Sequence, residues 1–226
     1  SVEDGYRVQD ELIRQCNVET LGKQIGWKVG ATSDAAVKAI GFGPFYGPLF
    51  ESSLVGGGSI CLSAMGNFRA VEAEIGFTVN ADFPSLGGDK EYQPDDVWAN
   101  IESICPSVEL AAGRVQGSVA VPTIIADCAN NGYVVRGSKT YSTSDIKNGL
   151  SGVADISVVL EINGKVVGEA SASAVLQNPV LSLTWLVNEL NRSNKMLRKG
   201  DFVMTGAMIV HAQLSPGDRV VSKFRV

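Results

Sequence analysis

Apolar positions divide the chain into short segments that follow either the helical or the strand period. Near the start, Val8, Leu12 and Ile13 stand among charged residues at a spacing that predicts an amphipathic helix. Further along, the adjacent acids Asp95 and Asp96 favour the N-terminus of another helix. Helices are predicted over residues 2–16, 35–40, 95–104 and 179–190.

Strand patterns dominate the rest of the chain. Two apolar runs flank Asn163-Gly164, a dipeptide typical of a tight hairpin turn. Long loops are predicted over residues 41–58, which are rich in glycine, proline and aromatic residues, and over 84–93. Strands are predicted over residues 26–30, 70–79, 107–112, 156–162, 165–170, 202–205 and 219–224. Because few βαβ units result, the pattern predicts an α+β, mainly mixed-β fold instead of a doubly wound sheet.

Composition narrows the class of protein. The 226 residues are 45% hydrophobic and 19% charged, as expected of a folded globule, and we predict one domain over residues 1–226 with an N-terminal helical segment at 1–25. The net charge is −5 and no run of lysine or arginine occurs, which argues against nucleic acid or an anionic membrane as a partner.

Other sequence features bear on the compartment. The four cysteines form no C-x-x-C pair and are expected to be free thiols in a reducing compartment. No apolar run reaches the roughly 20 residues of a membrane span, and no basic-then-apolar leader occurs, so a cytoplasmic location is expected. The chain begins at Ser1 without a methionine, which allows for residues removed upstream.

Two acids within an apolar run carry the clearest chemical signal. Glu72 and Glu74 lie two residues apart in a predicted strand, and residues two apart share a face. Unpaired buried charge is costly, and neighbouring carboxylates repel, so one of the two should bind a proton unless a cation lies between them. The alternative is a half-exposed strand in which both glutamates face solvent and Val71, Ala73 and Ile75 face the core.

A third acid extends this signal. Glu109 lies in a further apolar strand, and a return of the chain to a neighbouring strand would bring it to the pair. Three carboxylates with waters suit a hard divalent cation such as Mg²⁺ or Mn²⁺. His211 is the only histidine and no Cys/His cluster occurs, which argues against zinc.

Several short segments occur in an order that is specific as a set, although each is weak alone. They are Gly26–Gly30, Gly47–Phe50, Val71–Ile75, Val108–Leu110, Ala126–Gly132, Gly168–Leu186, Gly200–Gly206 and Pro216–Asp218. Their order resembles the fumarylacetoacetate hydrolase superfamily, and within it the 2-oxopent-4-enoate hydratase and 4-oxalocrotonate decarboxylase branch. The resemblance implies a distorted β-roll of the fumarylacetoacetate hydrolase C-terminal-domain type, with a few flanking helices.

The resemblance also implies a site. Glu72, Glu74 and Glu109 would be metal ligands, and the metal would chelate the carboxylate and the 2-oxo or 2-enol oxygen of a small α-keto acid. Lys28 falls on the lysine that lies near the substrate in this branch, where burial beside a metal would disfavour its ammonium form and allow proton exchange. Without the resemblance, Lys28 would be read as a surface lysine.

The chain departs from the branch at two places. An acid often stands two residues after the phenylalanine that corresponds to Phe50, but here Glu51 and then Ser52 follow. Either Glu51 takes the acid–base role, or Ser52 with a water replaces it. Asn130 replaces a frequent substrate-binding serine and can still donate a hydrogen bond.

The remaining candidates for substrate contact are less specific. Asp127 could orient a ligand or cap a turn, Thr205 could line the substrate pocket, and Phe50 would contact the substrate. His211 is expected to be structural or exposed.

The leading hypothesis is a metal-dependent lyase that hydrates a 2-hydroxy-2,4-dienoate to a 4-hydroxy-2-oxo acid through a metal-chelated enolate. Decarboxylation of a 4-oxalocrotonate-type 2-oxo acid would use the same ligands. Hydrolysis of acylpyruvates is disfavoured because it typically needs a His–Glu dyad, and a catalytically degenerate binding subunit is a further alternative. A homo-oligomer is expected, and a hydratase–decarboxylase hetero-complex is an additional option.

Overall fold

The computed structural model describes residues 1–15, 21–56, 68–117, 119–212 and 214–226, with the backbone alone for Phe68, Arg69, His211 and Ala212. The helices are α1 (Val2–Gln15), α2 (Asp34–Ile40), α3 (Pro94–Trp98), α4 (Val121–Ala126) and α5 (Pro179–Arg192). The strands are β1 (Gln24–Gly30), β2 (Phe45–Phe50), β3 (Leu54–Val55), β4 (Phe68–Val79), β5 (Ile101–Gly113), β6 (Tyr133–Arg136), β7 (Ser157–Ile162), β8 (Lys165–Ser171), β9 (Phe202–Ala212) and β10 (Val220–Arg225). The predicted α+β class is confirmed; the single domain over residues 1–226 stays a prediction.

Two sheets organise the molecule. A seven-stranded mixed sheet has the order β2-β1-β9-β4-β5-β6-β3, and a three-stranded antiparallel sheet has the order β10-β7-β8. Within the large sheet, β1 runs parallel to β9 and β3 parallel to β6, while the other pairs are antiparallel. An apolar core joins the large sheet to β7 and α5, with Phe77, Val158 and Leu186 completely or nearly buried.

The large sheet is strongly curled. In a flat sheet, three spacings of about 4.8 Å would separate β1 from β5. Nevertheless Lys28 on β1 reaches Glu109 on β5, with 2.9 Å between Nζ and Oε2. The curl therefore brings the side chains of strands that are not neighbours into one interior, as expected of a distorted roll.

The N-terminal helix is fixed to this roll. The ring of Tyr6 stacks on Tyr46 of β2 at 4.4 Å between centroids. The side-chain amide of Gln9 is buried and donates to the carbonyls of Ile125, at 2.7 Å, and Tyr46, at 3.3 Å. Helix α1 therefore packs on both β2 and α4, as part of the fold. It ends at Gln15, and residues 16–20 of the predicted N-terminal segment lie outside the described residues.

The loop predicted over residues 41–58 is wrong for most of its length. Its centre forms β2, in which every residue is buried, and β3 follows. Glycine and proline masked the strand pattern in the sequence. Pro48 is tolerated because β2 lies at the edge of the sheet, and residues 57–58 lie outside the described part of the chain.

The helix predicted over residues 95–104 is wrong in its second half. Helix α3 ends at Trp98, and β5 begins at Ile101, which pairs with Val79 of β4. Ile104 pairs with Phe77, and both are buried, so burial of β-branched residues against β4 overrides the acidic helix start. Other differences are the elements α4 and β6, which were not predicted, and β9, which continues beyond the predicted residues 202–205 to Ala212 and includes the backbone of His211.

The Asn163-Gly164 hairpin is confirmed between β7 and β8. Both turn residues have positive φ, 53° and 77°, as a tight turn of this kind requires. In the part of the chain that the structure describes, no helix combines the length and the apolar composition needed to cross a membrane.

Candidate active site

The three glutamates come together on one face of the paired strands β4 and β5. Glu72 lies directly opposite Glu109, and Glu74 follows on the same face. One carboxylate oxygen from each residue lies within 4.8 Å of the others. Glu74 and Glu109 are completely buried and Glu72 is partly buried. The predicted shared face is confirmed, and the solvent-facing alternative is wrong for Glu74.

An irregularity in β9 supplies a backbone donor to this cluster. Ala73 pairs with Ile209, Glu74 with Ala207 and Gly76 with Met204, so β9 contains two more residues than β4 over this stretch. Bulges of this kind redirect backbone groups and are frequent beside active sites. Here the N–H of Gly206 donates to Oε2 of Glu74 at 2.8 Å.

Most of the buried carboxylate oxygens of the cluster lack hydrogen-bond partners among the described residues. Within that part of the chain, Oε1 of Glu74 and both oxygens of Glu109 are buried without a partner of hydrogen-bond geometry, although Oε2 of Glu109 is ion-paired to Lys28 by distance. Burial is the main cause that raises the pKa of Glu109, to about 7, and the pKa of Glu74 is raised in the same way. Buried oxygens without partners and raised pKa values mark a candidate functional site whose negative charge is incompletely compensated.

Lys28 is the basic group of this site. Its Nζ is 2.9 Å from Oε2 of Glu109 and donates to the carbonyl of Ala129 at 3.0 Å. Burial is the largest single effect and would lower the pKa of Lys28, but the negative charges of Glu109, Glu72 and Glu74 together raise it above its usual value. Without a cation, Lys28 is therefore an ammonium ion, contrary to the expectation from burial alone.

The carbonyl that holds Lys28 belongs to an unusual turn. Cys128, Ala129 and Asn130 all have positive φ, 51°, 56° and 57°, although none is a glycine. The turn packs against β2 at Gly47, where an added Cβ would lie 2.5 Å from the carbonyl oxygen of Cys128. Consecutive left-handed residues of this kind are strained and persist only when the surroundings hold them.

Asp127 precedes this turn, and Asn130 is its last residue. Asp127 accepts hydrogen bonds from the backbone N–H and from Nε of Arg114, at 2.8 and 2.6 Å, and Arg114 also donates to the carbonyls of Asp127 and Asn131. The carboxylate of Asp127 therefore stabilises the turn through Arg114. This agrees with the second of the two roles suggested by the sequence, that of capping a turn. Asn130 is partly buried at the end of the turn.

Glu51 and Ser52 lie in a short 3₁₀ turn after Phe50, which is itself buried. Both are exposed, and Oε2 of Glu51 accepts the backbone N–H of Lys23 at 2.9 Å. Glu51 is not among the described acids that converge with Glu72. Its acid–base role, like the substrate contacts of Phe50 and Ser52, stays a prediction.

Thr205 is completely buried beside the three glutamates, and its hydroxyl makes a hydrogen bond within the fold. Oγ1 donates to the carbonyl of Ile75 at 2.9 Å, while Ser182 of α5 donates to the carbonyl of Thr205 at 2.7 Å. Thr205 thus links β4, β9 and α5.

Sequence reasoning missed the contributions of Ala129 and Gly206. Both act through the backbone, so their side chains carry no chemical signal. The positive φ of 107° at Gly206 explains why a glycine stands there, but one sequence does not show which group its N–H meets.

Comparison with known proteins places this geometry in a family. No family model matches the chain. It is similar to the TodF product hydratase of Pseudomonas putida strain F1, with 30% identity over 220 residues, which cover 96% of this chain and 78% of the relative. The chain belongs to the hydratase and decarboxylase branch of the fumarylacetoacetate hydrolase superfamily. The resemblance found in the sequence is thus confirmed.

Two further proteins place the chain within this branch. The 2-keto-4-pentenoate hydratase of Paraburkholderia xenovorans strain LB400 is 26% identical, over 96% of this chain and 78% of the hydratase. A solved structure of 4-oxalocrotonate decarboxylase from Pseudomonas putida G7, complexed with magnesium and adipate, has a TM-score of 0.87. It is 29% identical, and the match covers 99% of this chain and 82% of the decarboxylase. Hydratases and a decarboxylase, both lyases, are therefore similar to this chain.

Proposed function

We propose that the chain is a divalent-metal-dependent hydratase that adds water to a 2-hydroxy-2,4-dienoate of the 2-oxopent-4-enoate type and forms a 4-hydroxy-2-oxo acid. The observation that carries the proposal is the convergence of Glu72, Glu74 and Glu109 beside the ammonium of Lys28. Its second support is the similarity to proteins named as hydratases.

The residues fit a divalent cation. Three ionised carboxylates and one ammonium leave an uncompensated charge of −2, which one divalent ion would balance. The donors are hard oxygens, and Glu74 and Glu109 present buried oxygens that have no hydrogen-bond partner among the residues that the structure describes. Mg²⁺ and Mn²⁺ suit such donors. We propose Glu72, Glu74 and Glu109 as the ligands.

When bound, the cation would act as a Lewis acid on the oxygens of a 2-oxo acid. The other contributions come from the chain. The N–H of Gly206 fixes one oxygen of Glu74, which orients that carboxylate before any ligand arrives. The strained turn fixes Nζ of Lys28 through the carbonyl of Ala129. Preorganised groups of this kind lower the cost of reaching the reactive geometry.

Lys28 is the proposed proton carrier. An ammonium has three N–H groups, and Glu109 and Ala129 engage Nζ at 2.9 and 3.0 Å. Nζ therefore keeps N–H capacity for a substrate and can hold and deliver a proton at the carbon chain. General acid catalysis of this kind contributes about 10²–10⁴ to a rate.

Decarboxylation of a 4-oxalocrotonate-type acid is the second candidate. It is favoured by the likeness to the decarboxylase structure, which extends over nearly the whole chain. The three carboxylates and Lys28 would serve either reaction, because both require charge to develop on the 2-oxo oxygen.

Product analysis distinguishes the two candidates. Purified protein with Mg²⁺ or Mn²⁺ is incubated with 2-hydroxypenta-2,4-dienoate and, separately, with 4-oxalocrotonate. A hydratase removes the ultraviolet absorbance of the dienoate without release of CO₂, whereas a decarboxylase releases CO₂ from the second substrate. The Glu74→Gln variant controls for contaminating activity. Absence of turnover of both substrates with both metals would contradict the proposal.

A further inference from the structure

Thr32 carries a buried hydroxyl that makes no hydrogen bond within the described part of the chain. The residue is 2% exposed, and Oγ1 is buried without a hydrogen-bond partner among the described residues. The hydroxyls of Thr205 and Thr184, which are buried to a similar degree, both donate to backbone carbonyls, at 2.9 and 2.8 Å. A buried polar group without a partner destabilises the fold, so its presence needs a reason outside the fold.

The hydroxyl of Thr32 lies beside the carboxylate site. A Cβ built on Gly206 would be 1.9 Å from Oγ1 of Thr32, so the hydroxyl lies directly against the Cα of Gly206. The N–H of that same glycine holds Oε2 of Glu74. Thr32 also follows Lys28 by four residues, just beyond the end of β1. The hydroxyl thus adjoins both the strand of the proposed proton carrier and the glycine that orients a proposed ligand.

The backbone holds Thr32 in place at the expense of strain. Ala31, immediately before it, has a φ of 54°. The carbonyl of Thr32 accepts the N–H of Leu176 at 2.8 Å, and Leu176 and Gln177 have φ values of 43° and 67°. Such strain in residues other than glycine collects at ligand-binding sites. Valine would fill the same space without an unpaired hydroxyl, so packing alone does not explain threonine.

We propose that the Thr32 hydroxyl binds substrate, donating a hydrogen bond to a carboxylate oxygen of the 2-oxo acid held beside Glu74. The inference rests on the proposed function, because it takes the substrate to be a 2-oxo acid. A hydroxyl donates to an anionic oxygen without adding charge, so Thr32 complements Lys28 without competing for the glutamates. Only a glycine at position 206 leaves room for the hydroxyl, because a Cβ there would overlap it. Thr32, whose hydroxyl has no partner in the described part of the chain, takes the role that the sequence suggested for Thr205.

The test measures ligand binding and stability in the full chain. Wild type, Thr32→Val and Thr32→Ser are titrated with Mg²⁺ and then, at saturating Mg²⁺, with pyruvate as the 2-oxo acid probe, by isothermal titration calorimetry. Thr184→Val is the matched control, because it removes a buried hydroxyl that is bonded within α5. Thermal unfolding is recorded for each protein without Mg²⁺ and pyruvate, and Thr32→Ala replaces the valine variant if that variant does not fold.

The expected result separates substrate binding from folding. Thr32→Val should bind pyruvate about tenfold more weakly or worse, the effect of losing a hydrogen bond to a charged group. Its Mg²⁺ affinity should be unchanged, and its melting temperature should not fall, because an unpaired hydroxyl is removed. Thr32→Ser should retain pyruvate binding. Thr184→Val should lose stability and bind pyruvate normally.

Each contrary result has a distinct meaning. Thr32→Val that binds pyruvate as tightly as wild type would overturn the role of Thr32 while the proposed function stands. Thr32→Val that melts earlier and binds Mg²⁺ more weakly would assign the threonine to the fold instead. Wild type that binds Mg²⁺ but no pyruvate would contradict the proposed 2-oxo acid site, and the role of Thr32 would be wrong with it.

Discussion

At the scale of single residues, the carboxylate cluster sets the behaviour of the protein without a cation. Glu74 and Glu109 are completely buried, and when all three glutamates are ionised Lys28 compensates for only one of their negative charges. Removal of one carboxylate should therefore stabilise the cation-free protein and, at the same time, destroy its capacity to bind a cation.

Glu74→Gln provides the first prediction. In EDTA at pH 8 the variant should be more stable than wild type, because glutamine keeps the acceptor for the N–H of Gly206 and cannot take up the negative charge that burial disfavours at this position. Mg²⁺ at a hundred times the wild-type Kd should stabilise wild type by about 2.7 kcal/mol and leave the variant unchanged. Thermal melts with and without Mg²⁺ check both effects. Glu102→Gln, an exposed change on β5, is the control, and equal Mg²⁺ stabilisation of Glu74→Gln would remove Glu74 from the site.

The second prediction concerns pH. Because the pKa of Glu109 is raised to about 7 in the folded protein, the folded state binds more protons than the unfolded state between about pH 4.5 and 7. In EDTA, Glu109 therefore contributes to the free energy of unfolding at low pH, and this contribution is lost as the pH rises through 7. For a pKa shift of this size the loss is about 3 kcal/mol. Glu74 acts in the same direction.

Urea unfolding in EDTA at pH 5, 6, 7 and 8 measures this effect. Glu109→Gln should reduce the change in the free energy of unfolding between pH 5 and pH 8. Saturating Mg²⁺ should stabilise the protein more at pH 8 than at pH 5, because the ligands must be ionised to bind it. Stability in EDTA that rises from pH 5 to pH 7 would contradict the prediction.

Lys28→Met is the third prediction. Turnover should fall by about 10²-fold or more through loss of the proton carrier, whereas Mg²⁺ affinity should be maintained or increased because a competing positive charge is removed. Steady-state kinetics and calorimetry measure the two quantities. Lys23→Met, a change at an exposed lysine, controls for the loss of charge, and a fully active Lys28→Met would reject the role.

The members of the candidate site could be predicted from the sequence where they contribute a side chain, but not where they contribute a backbone group. The acids at 72, 74 and 109 stand out because charge is rare in apolar strands. The carbonyl of Ala129 and the N–H of Gly206 are ordinary backbone groups, which do not distinguish these residues from others in the sequence. Only the folded structure shows that they bind Lys28 and Glu74.

At the scale of elements, the turn at residues 128–130 joins β2 to the site. Gly47 permits this contact, because a Cβ there would approach the carbonyl oxygen of Cys128 to 2.5 Å. The helix and strand patterns in the sequence did not predict this contact between β2 and the turn. The residues around Gly47 resembled a loop because their apolar side chains are interrupted by glycine and proline, and burial of the whole strand became visible only in the folded sheet.

Gly47→Ala is the fourth prediction. The added methyl group should destabilise the protein by about 1–3 kcal/mol. It should also lower turnover, because the turn that fixes Lys28 must move. Gly56→Ala is the matched control, since no atom of the described residues lies within 4 Å of its added Cβ. Urea unfolding and kinetics measure both effects, and a Gly47→Ala protein as active and stable as the control would show that the turn does not depend on this contact.

At the scale of the whole molecule, α1 is linked to the site through a series of contacts. It packs on α4, and α4 leads into the turn that fixes Lys28. The sequence predicted α1 from its period and the α+β class from the balance of elements. It did not give the curl that brings β1 to β5, because curl depends on contacts between strands distant in the chain.

Removal of residues 1–15 is the fifth prediction. Loss of the stacked Tyr6 and of the buried amide of Gln9 should cost at least about 3 kcal/mol, which corresponds to a fall of about 6–12 °C in Tm for a chain of this size. Turnover should fall as well, because α4 loses its support. Differential scanning calorimetry measures the Tm, with Glu3→Ala, an exposed change on α1, as control. An unchanged Tm would mean that the helix is dispensable.

The irregular pairing of β9 has a consequence for how this chain can change. Residues up to Met204 lie between β1 and β4, whereas Ile209 and Val210 pair with β4 beyond the two extra residues. Deletion of one residue between them would shift the later half by one position and exchange its two faces. Ile209 would then leave the core and the exposed Val210 would turn inward. The length of this segment is therefore more strictly constrained than the identity of Met208, and insertions or deletions here should be far more damaging than substitutions.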